Sequence, residues 1–303
     1  MKNLVVSVHN MSVKFGDFYA VHNVSFDVSV GQIFGFLGAN GAGKTTTIRV
    51  LCGLLLATSG DVIVDGIKFV SGQENEIKQR VGYMSQRFTL YDDLTIEENF
   101  DFAAALHQLN ARVYKQNKEN LLGFIGLNLK LNTVVKNLPV GIKQQIALCV
   151  ALLHNPKIVF LDEPTAGVAP TARLRFWMLI KNLAKSGKTV FVTTHYMDEA
   201  ENCNRIALMR AGELIAVDSP QKLKQNTFGD TLYLLRPRVK NPVHPIPDVI
   251  DIWQPYGAGF HLRFKDGIKS ASQLRMLKRD WEIMPISASL EDVFIRLVEG
   301  SNR

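Results

Sequence analysis

Cysteine is scarce. Cys52, Cys149 and Cys203 are the only three in 303 residues, and none falls in a CxxC or CxxCH pair. That excludes a disulfide framework and a cysteine-based metal site, fits a reducing compartment, and leaves the three to act as buried small hydrophobes. Long apolar runs are missing too. Uninterrupted stretches such as Ile146–Leu153 fall far short of the ~18 residues that a membrane-crossing helix needs. The N-terminal stretch MKNLVVSVHNMSVKFG alternates like a strand and has neither the apolar core nor the small-residue cleavage site of a signal peptide. The chain is therefore expected to stay in the compartment where it is made. No internal repeat or long heptad run is visible, and 47% hydrophobic with 21% charged content excludes a disordered chain.

The charge is not concentrated either. A formal net charge of +7 divides into 22 Lys and Arg against 19 Asp and Glu over residues 1–220, and 13 against 9 over residues 221–303. So modest and spread an excess is compatible with work beside an anionic membrane surface and is a weak clue to nucleic acid.

What is present is a change of pattern along the chain. Residues 1–35 alternate (Leu4, Val6, Val8; Val24, Phe26, Val28, Val30), which predicts antiparallel strands with one buried face. The short two-sided apolar runs Ile33–Leu37, Ile158–Leu161 and Val190–Val192 predict central strands of a parallel sheet covered by helices. Thr171–Lys185 reads as a helix, with Pro170 at its first position and Gly187 past its end. The segment from about Leu94 to Val135 reads as a helical insertion opened by the capping box Thr95-Ile96-Glu97-Glu98. Beyond Pro220, five of the eleven prolines crowd between Pro237 and Pro255, marking a junction or an irregular stretch. Strand-like pieces (Thr231–Arg236, Phe260–Phe264), a helix-like piece (Ser270–Trp281) and the amphipathic Leu290–Val298 make the tail a small α+β unit of ~80 residues.

The strongest motif is Gly38-Ala39-Asn40-Gly41-Ala42-Gly43-Lys44-Thr45, a GxxxxGK[ST] run between the strand Ile33–Leu37 and a helical stretch expected over Thr46–Leu56. Glycines let the backbone wrap a phosphate with N–H groups, the helix N-terminus adds positive dipole, Lys44 reaches the β- and γ-phosphates, and the Thr45 hydroxyl ligands Mg2+. The expected nucleotide contacts are Gly38, Asn40, Gly41, Ala42, Gly43, Lys44, Thr45 and Thr46. The apolar strand ending in Asp162-Glu163 supplies the rest: Asp162 to hold Mg2+ through its water shell, Glu163 to polarise the attacking water. His195 ends a third such strand, where parallel sheets place their ligands, and so points at the γ-phosphate.

Together these residues resemble the ATP-binding cassette (ABC) ATPases, the motor subunits of ABC transporters, over about residues 4–220 and in the family's motif order. The resemblance implies an α/β P-loop NTPase (RecA-like) core with an N-terminal antiparallel β subdomain and a helical subdomain at about 94–150, making a nucleotide-binding domain over 1–220. A C-terminal α+β accessory domain follows over 221–303. It implies ATP and Mg2+ as cofactors, with Lys44, Glu163 and His195 as the catalytic set. Phe15 matches the aromatic that stacks on adenine. Gln86 matches the glutamine that senses Mg2+ and the membrane partner. Thr45, Gln86 and Asp162 are the implied metal group.

Leu138-Pro139-Val140-Gly141-Ile142-Lys143-Gln144-Gln145 stands where the family carries LSGGQ, which caps the γ-phosphate held by the other subunit. The serine is replaced by Pro139 and the first glycine by Val140; Gly141 is kept. Ala169 stands where the family has an aspartate linking the two active sites. The resemblance implies a dimer of cassettes, identical or not, clamped by ATP at the cytoplasmic face of a membrane. It also implies separate transmembrane permease subunits, received by the insertion after Gln86, including Phe88–Leu94. The tail segment Ser289-Leu290-Glu291-Asp292-Val293-Phe294 resembles that of ATPases paired with ABC-2 type exporters. The resemblance leaves no nucleic-acid partner expected, because the chain shows neither a second cassette nor an inserted coiled coil. Three other readings stay open: a slowly hydrolysing regulatory half of a heterodimer, a non-transport ABC ATPase acting on nucleic acid, and an importer ATPase.

Overall fold

The computed structural model describes residues 3–86, 90–126, 130–229, 232–245, 247–265 and 270–300. The chain divides into two compact units, Met1–Ser219 and Pro220–Arg303.

In the first unit, β1 (Leu4–Phe15) and β2 (Phe18–Ser29) form an antiparallel hairpin whose register shifts within β1, so that neighbours such as Val5 and Val6 are both buried. Strand β3 (Ile33–Leu37) leads into helix α1 (Lys44–Leu51), followed by β4 (Ser59–Val64), the short β5 (Ile67–Lys68), α2 (Glu74–Arg80) and β6 (Val81–Met84). The helical insertion contains α3 (Ile96–Leu106), α4 (Ala111–Ile125) and α5 (Val140–Leu152). The chain then returns to the core through β7 (Ile158–Asp162), α6 (Pro170–Lys185), β8 (Thr189–Thr194), α7 (Met197–Ala200), β9 (Arg205–Arg210) and β10 (Glu213–Asp218).

Two sheets result: an antiparallel one in the order β2-β1-β4-β5, and a six-stranded one in the order β10-β9-β3-β8-β7-β6. In the latter β9, β3, β8, β7 and β6 run parallel. Every residue of β3, β7 and β8 is buried, which is why these strands read as continuous apolar runs. The sheets meet on a cluster of phenylalanines: Phe26 of β2 stacks on Phe34 of β3 at 5.4 Å, and Phe160 of β7 on Phe191 of β8 at 4.6 Å. Each such ring contributes roughly 1.5–3 kcal/mol on burial, so the cluster fixes the carboxyl ends of β3, β7 and β8 in one place. All three cysteines are buried and free, and burial pushes the thiols of Cys149 and Cys203 up to about 12.

Local signals explain the helix ends. The Thr95 side chain accepts from Glu98 N while the Glu98 carboxyl accepts from Thr95 N, closing the capping box of α3. Helix α6 has Pro170 at its first position and stops in a Schellman turn, with Gly187 N donating to Ala184 O and Lys188 N to Leu183 O. Helix α1 differs from expectation at both ends. It opens at Lys44, inside the glycine motif, and ends at Leu51 because Gly53 N and Leu54 N turn back onto Val50 O and Arg49 O.

The second unit comprises α8 (Pro220–Phe228), β11 (Leu232–Pro237), β12 (Ile250–Tyr256), β13 (Gly259–Phe264), α9 (Ser270–Leu277), β14 (Trp281–Ile286) and α10 (Leu290–Gly300). Its sheet is antiparallel in the order β12-β13-β11-β14, around Leu235, Leu262, Phe264, Leu277 and Trp281. One expectation is refined and one corrected. The proline-rich stretch is irregular over residues 238–245, as expected, but its last proline, Pro255, lies in a strand, β12, which tolerates it because the strand is at a sheet edge. Trp281 does not end a helix but opens the other edge strand, where its ring is buried and Nε1 donates to Val243 O at 2.6 Å. Thr231, expected to open β11, lies outside the described residues. The tail motif proves to be a helix start: Asp292 Oδ2 accepts from Ser289 N and Oγ at 2.7 Å each, and its Oδ1 lies 2.8 Å from His261 Nδ1, pinning α10 to β13.

Candidate functional site

The loop between β3 and α1 is shaped by close backbone approaches. A Cβ at Gly38 would sit 2.3 Å from Met209 O, and one at Gly43, whose φ is +99°, would sit 2.6 Å from Ala20 O. Only glycine fits either place, and the chain there can fold tightly enough to turn its N–H groups inward. Asn40 and Gly41 lie exposed at the tip, Ala42 is buried, and Thr46 is half-buried on α1.

Lys44 is 4% exposed. Its ammonium donates to Gly38 O at 2.8 Å and Ala39 O at 3.0 Å, so it is folded over the loop that begins its own motif. Burial lowers the pKa of Lys44, while the negative charges of Glu163 and Asp162 oppose the shift.

The ends of β7 and β8 carry the matching acids. Asp162 Oδ1 accepts from Thr45 Oγ1 at 3.1 Å and from Thr193 Oγ1 at 2.6 Å, and Thr193 Oγ1 accepts in turn from Glu163 N at 2.8 Å. Glu163 has a φ of +49°, in the left-handed region that a non-glycine residue enters only under external restraint. Its carboxyl group is contacted from three sides. Lys44 Nζ is 3.8 Å from Oε1, Gln86 Nε2 donates to Oε2 at 3.0 Å, and His195 Nδ1 lies 3.4 Å from Oε2. The last contact is misaligned for a hydrogen bond and leaves that nitrogen buried without a hydrogen-bond partner.

The fold thus brings together Lys44, Thr45, Gln86, Asp162, Glu163 and His195 from four places, the start of α1 and the ends of β6, β7 and β8. Among the described residues, no hydrogen bond or ion pair joins Phe15 or Gly141 to them. Phe15 is 52% exposed at the end of β1, and Gly141 lies in the first turn of α5 against Ala172 of α6. Thr193 is the member that sequence reasoning missed. Its signal was two hydroxyl residues, Thr193 and Thr194, at the end of an otherwise apolar strand. Among the described residues no group of three or more His, Cys, Asp or Glu could hold a metal. The Thr45 hydroxyl and Asp162 carboxyl instead make a sparse, all-oxygen pair, suited to a small hard cation that keeps most of its other ligands from water and phosphate.

A family model described as ABC transporter matches residues 21–166. The linearmycin resistance ATP-binding protein LnrL of Bacillus subtilis is 34% identical over 233 residues, covering 76% of this chain and 74% of that protein. The chain belongs to the ABC transporter family. A second family member, the Nod factor export ATP-binding protein I of Burkholderia lata, is 32% identical over 300 residues, 96% of each chain. The probable multidrug ABC transporter ATP-binding protein YbhF of Escherichia coli is 43% identical over 226 residues, 75% of this ABC chain but 39% of that protein. The chain therefore spans only part of that relative's length. Among solved structures, a dimeric post-hydrolysis state of an ATP-binding cassette bound to ADP and Pi matches with a TM-score of 0.64 and 26% identity, over 71% of this chain and 98% of that one.

Proposed function

We propose that this ABC chain binds and hydrolyses ATP as the motor subunit of an exporter, working with separate transmembrane permease subunits of the ABC-2 type. The observation that carries the reading is the three-sided hold on Glu163 by Lys44, Gln86 and His195, beside the Thr45–Asp162 pair. Relatives over most of the chain are ATP-binding proteins of export and resistance systems, which supports the direction of transport.

In this reading the loop Gly38–Thr46 wraps the phosphates and Phe15 stacks on the base. Lys44 supplies positive charge to the β- and γ-phosphates. Thr45 and Asp162, with Gln86, hold Mg2+, which when bound offsets charge on the phosphate oxygens. Glu163 takes a proton from water as its oxygen attacks the γ-phosphorus and the bond from that phosphorus to the β–γ bridging oxygen breaks, releasing ADP and phosphate, while His195 steadies the γ-phosphate. Gly141, at the N-terminal turn of α5, serves the nucleotide held by a second cassette, identical or not.

Among the described residues no helix is long and apolar enough to cross a membrane. A groove of about 340 Å3 between β6, α3 and α5 is lined by the exposed side chains of Leu54, Tyr91, Phe102 and Leu106. This groove is our candidate for receiving a permease helix at the cytoplasmic face. Of the expected docking segment Phe88–Leu94, residues 88–89 lie outside the described residues. We assign residues 1–220 as the nucleotide-binding domain and 221–303 as an accessory domain.

The test is phosphate release by the chain with and without its permease, alongside Glu163→Gln. Wild-type turnover no faster than the variant's would defeat the reading. A slowly hydrolysing half of a heterodimer is the second reading, favoured by Pro139 and Ala169: each begins its helix with no side-chain cap and no polar group to offer across a dimer.

A further inference from the structure

Glu199, on the short helix α7, is 1% exposed, and nothing in the reaction described above uses it. Its two carboxyl oxygens have different partners. Oε1 accepts from Thr165 Oγ1 at 2.6 Å and Oε2 from Thr194 Oγ1 at 2.7 Å, both hydroxyls being buried themselves. Thr165 lies two residues beyond Glu163, and Thr194 immediately precedes His195. One carboxyl group therefore ties the chain leaving β7, just past the residue assigned to the base, to the last residue of β8, just before the residue assigned to the γ-phosphate.

A second route joins the same places. Arg173 of α6 brings Nε to 3.4 Å from Glu199 Oε1, too oblique for a hydrogen bond, and lays its guanidinium 4.3 Å over the ring of Tyr196. The Tyr196 ring packs in turn on the His195 imidazole, with centroids 4.1 Å apart, and Tyr196 N donates to Thr194 Oγ1 at 3.0 Å. The flanking helix thus reaches the imidazole through Arg173 and Tyr196, with the Glu199 carboxyl group beside the guanidinium.

Burying a carboxyl group is a poor way to gain stability, since well-packed apolar side chains of similar volume do as well or better. What such a group does supply is a fixed direction and distance between its donors. That restraint falls beside Glu163, whose φ of +49° is a strained conformation for a residue with a long side chain and depends on its surroundings to hold it. We infer that Glu199 is a positioning residue, which sets Glu163 and His195 relative to one another without touching nucleotide. The inference rests on the roles given to Glu163 and His195 under the proposed function.

The experiment measures equilibrium ATP binding and single-turnover phosphate release separately, in the full-length chain, for Glu199→Ala, Glu199→Gln, Thr165→Val and Thr194→Val. Glu199→Ala is expected to lower the rate per bound ATP by about 10- to 100-fold, the range for a small misplacement of reacting groups, with ATP affinity within about twofold. Glu199→Gln keeps the size and one acceptor while a hydroxyl can turn to accept from its amide, so it recovers most of the rate. The two Thr→Val variants give partial losses that add nothing once Glu199 is Ala. A wild-type rate per bound ATP in Glu199→Ala overturns the inference, as does a loss of rate matched by the loss of nucleotide-competent protein, which is what a purely structural role gives. If Glu199→Ala does not fold, wild-type rates in both Thr→Val variants overturn it instead. Failure of the underlying reading is separately visible as wild-type phosphate release by Glu163→Gln.

Discussion

Gln86 Nε2 donates to Glu163 Oε2 at 3.0 Å, joining the residue that leads into the helical insertion to the acid at the end of β7. Glu163→Gln keeps the size of the side chain and one acceptor oxygen, and the Gln86 amide can turn its own oxygen toward the new NH2, so the variant is expected to keep ATP binding. Phosphate release should fall by about 10²- to 10⁴-fold, the usual contribution of a general base. Nucleotide titration beside a phosphate assay checks this; release at the wild-type rate removes Glu163 from the role.

Lys44 exchanges its two loop carbonyls for phosphate oxygens in the proposed complex. Truncating it to Ala removes a charge-assisted contact of about 1.5–3 kcal/mol, or about 10- to 100-fold in ATP affinity. Calorimetric titration gives the number, and an unchanged Kd for Lys44→Ala would contradict the assignment.

The two loop glycines at 41 and 43 are expected to respond unequally. A Cβ at Gly43 runs into Ala20 O, whereas at Gly41, with a φ of +81°, it meets nothing within 4 Å. Gly41→Ala should cost about 1 kcal/mol for its backbone conformation, and Gly43→Ala more than that because the clash adds to the strain. Thermal unfolding of both variants decides it; equal losses would mean that the Gly43 loop relaxes freely.

Ala169 caps α6 with no side-chain acceptor and is exposed. Ala169→Asp supplies one at a helix N-terminus and should stabilise the chain by about 0.5–2 kcal/mol. Denaturant unfolding tests the sign, and a destabilised variant would show that the loop before α6 rejects the carboxyl group.

Burial pushes the His154 imidazole from 6.5 down to about 4, with the charges of His107 and Lys188 in the same direction and the Val81 carbonyl, 3.1 Å from Nε2, opposing. The folded chain then holds fewer protons at this site than the unfolded chain between those values. Stability from this group is complete above about pH 6.5 and is lost as pH falls toward about 4, by at most about 3 kcal/mol. His154→Gln should flatten the difference in unfolding free energy between about pH 7.5 and about pH 5. The same difference in both proteins would exclude His154 as its source.

Much of the fold was legible because burial and period agree. The β3, β7 and β8 runs are apolar on both faces, the α3 capping box closes as written, and Pro170 and Gly187 bracket α6. Legibility fails where a long-range contact overrides the local pattern. Trp281 sits in a helix-like run but is drawn into β14 by the Val243 carbonyl, and Pro255 hides a strand that only its edge position permits. In the site, the glycine motif and the Asp162-Glu163 pair stood out through spacing. Thr193 did not, since a threonine in a strand is unremarked until the carboxyl group opposite is known.

Pro255 and Pro285 lie on the two outermost strands of the C-terminal sheet, β12 and β14. A proline removes one backbone donor from each of these edges, which makes either a poor template for a further strand. Two copies of this chain are therefore discouraged from joining through their C-terminal sheets, and growth of the sheet from copy to copy is checked at both ends.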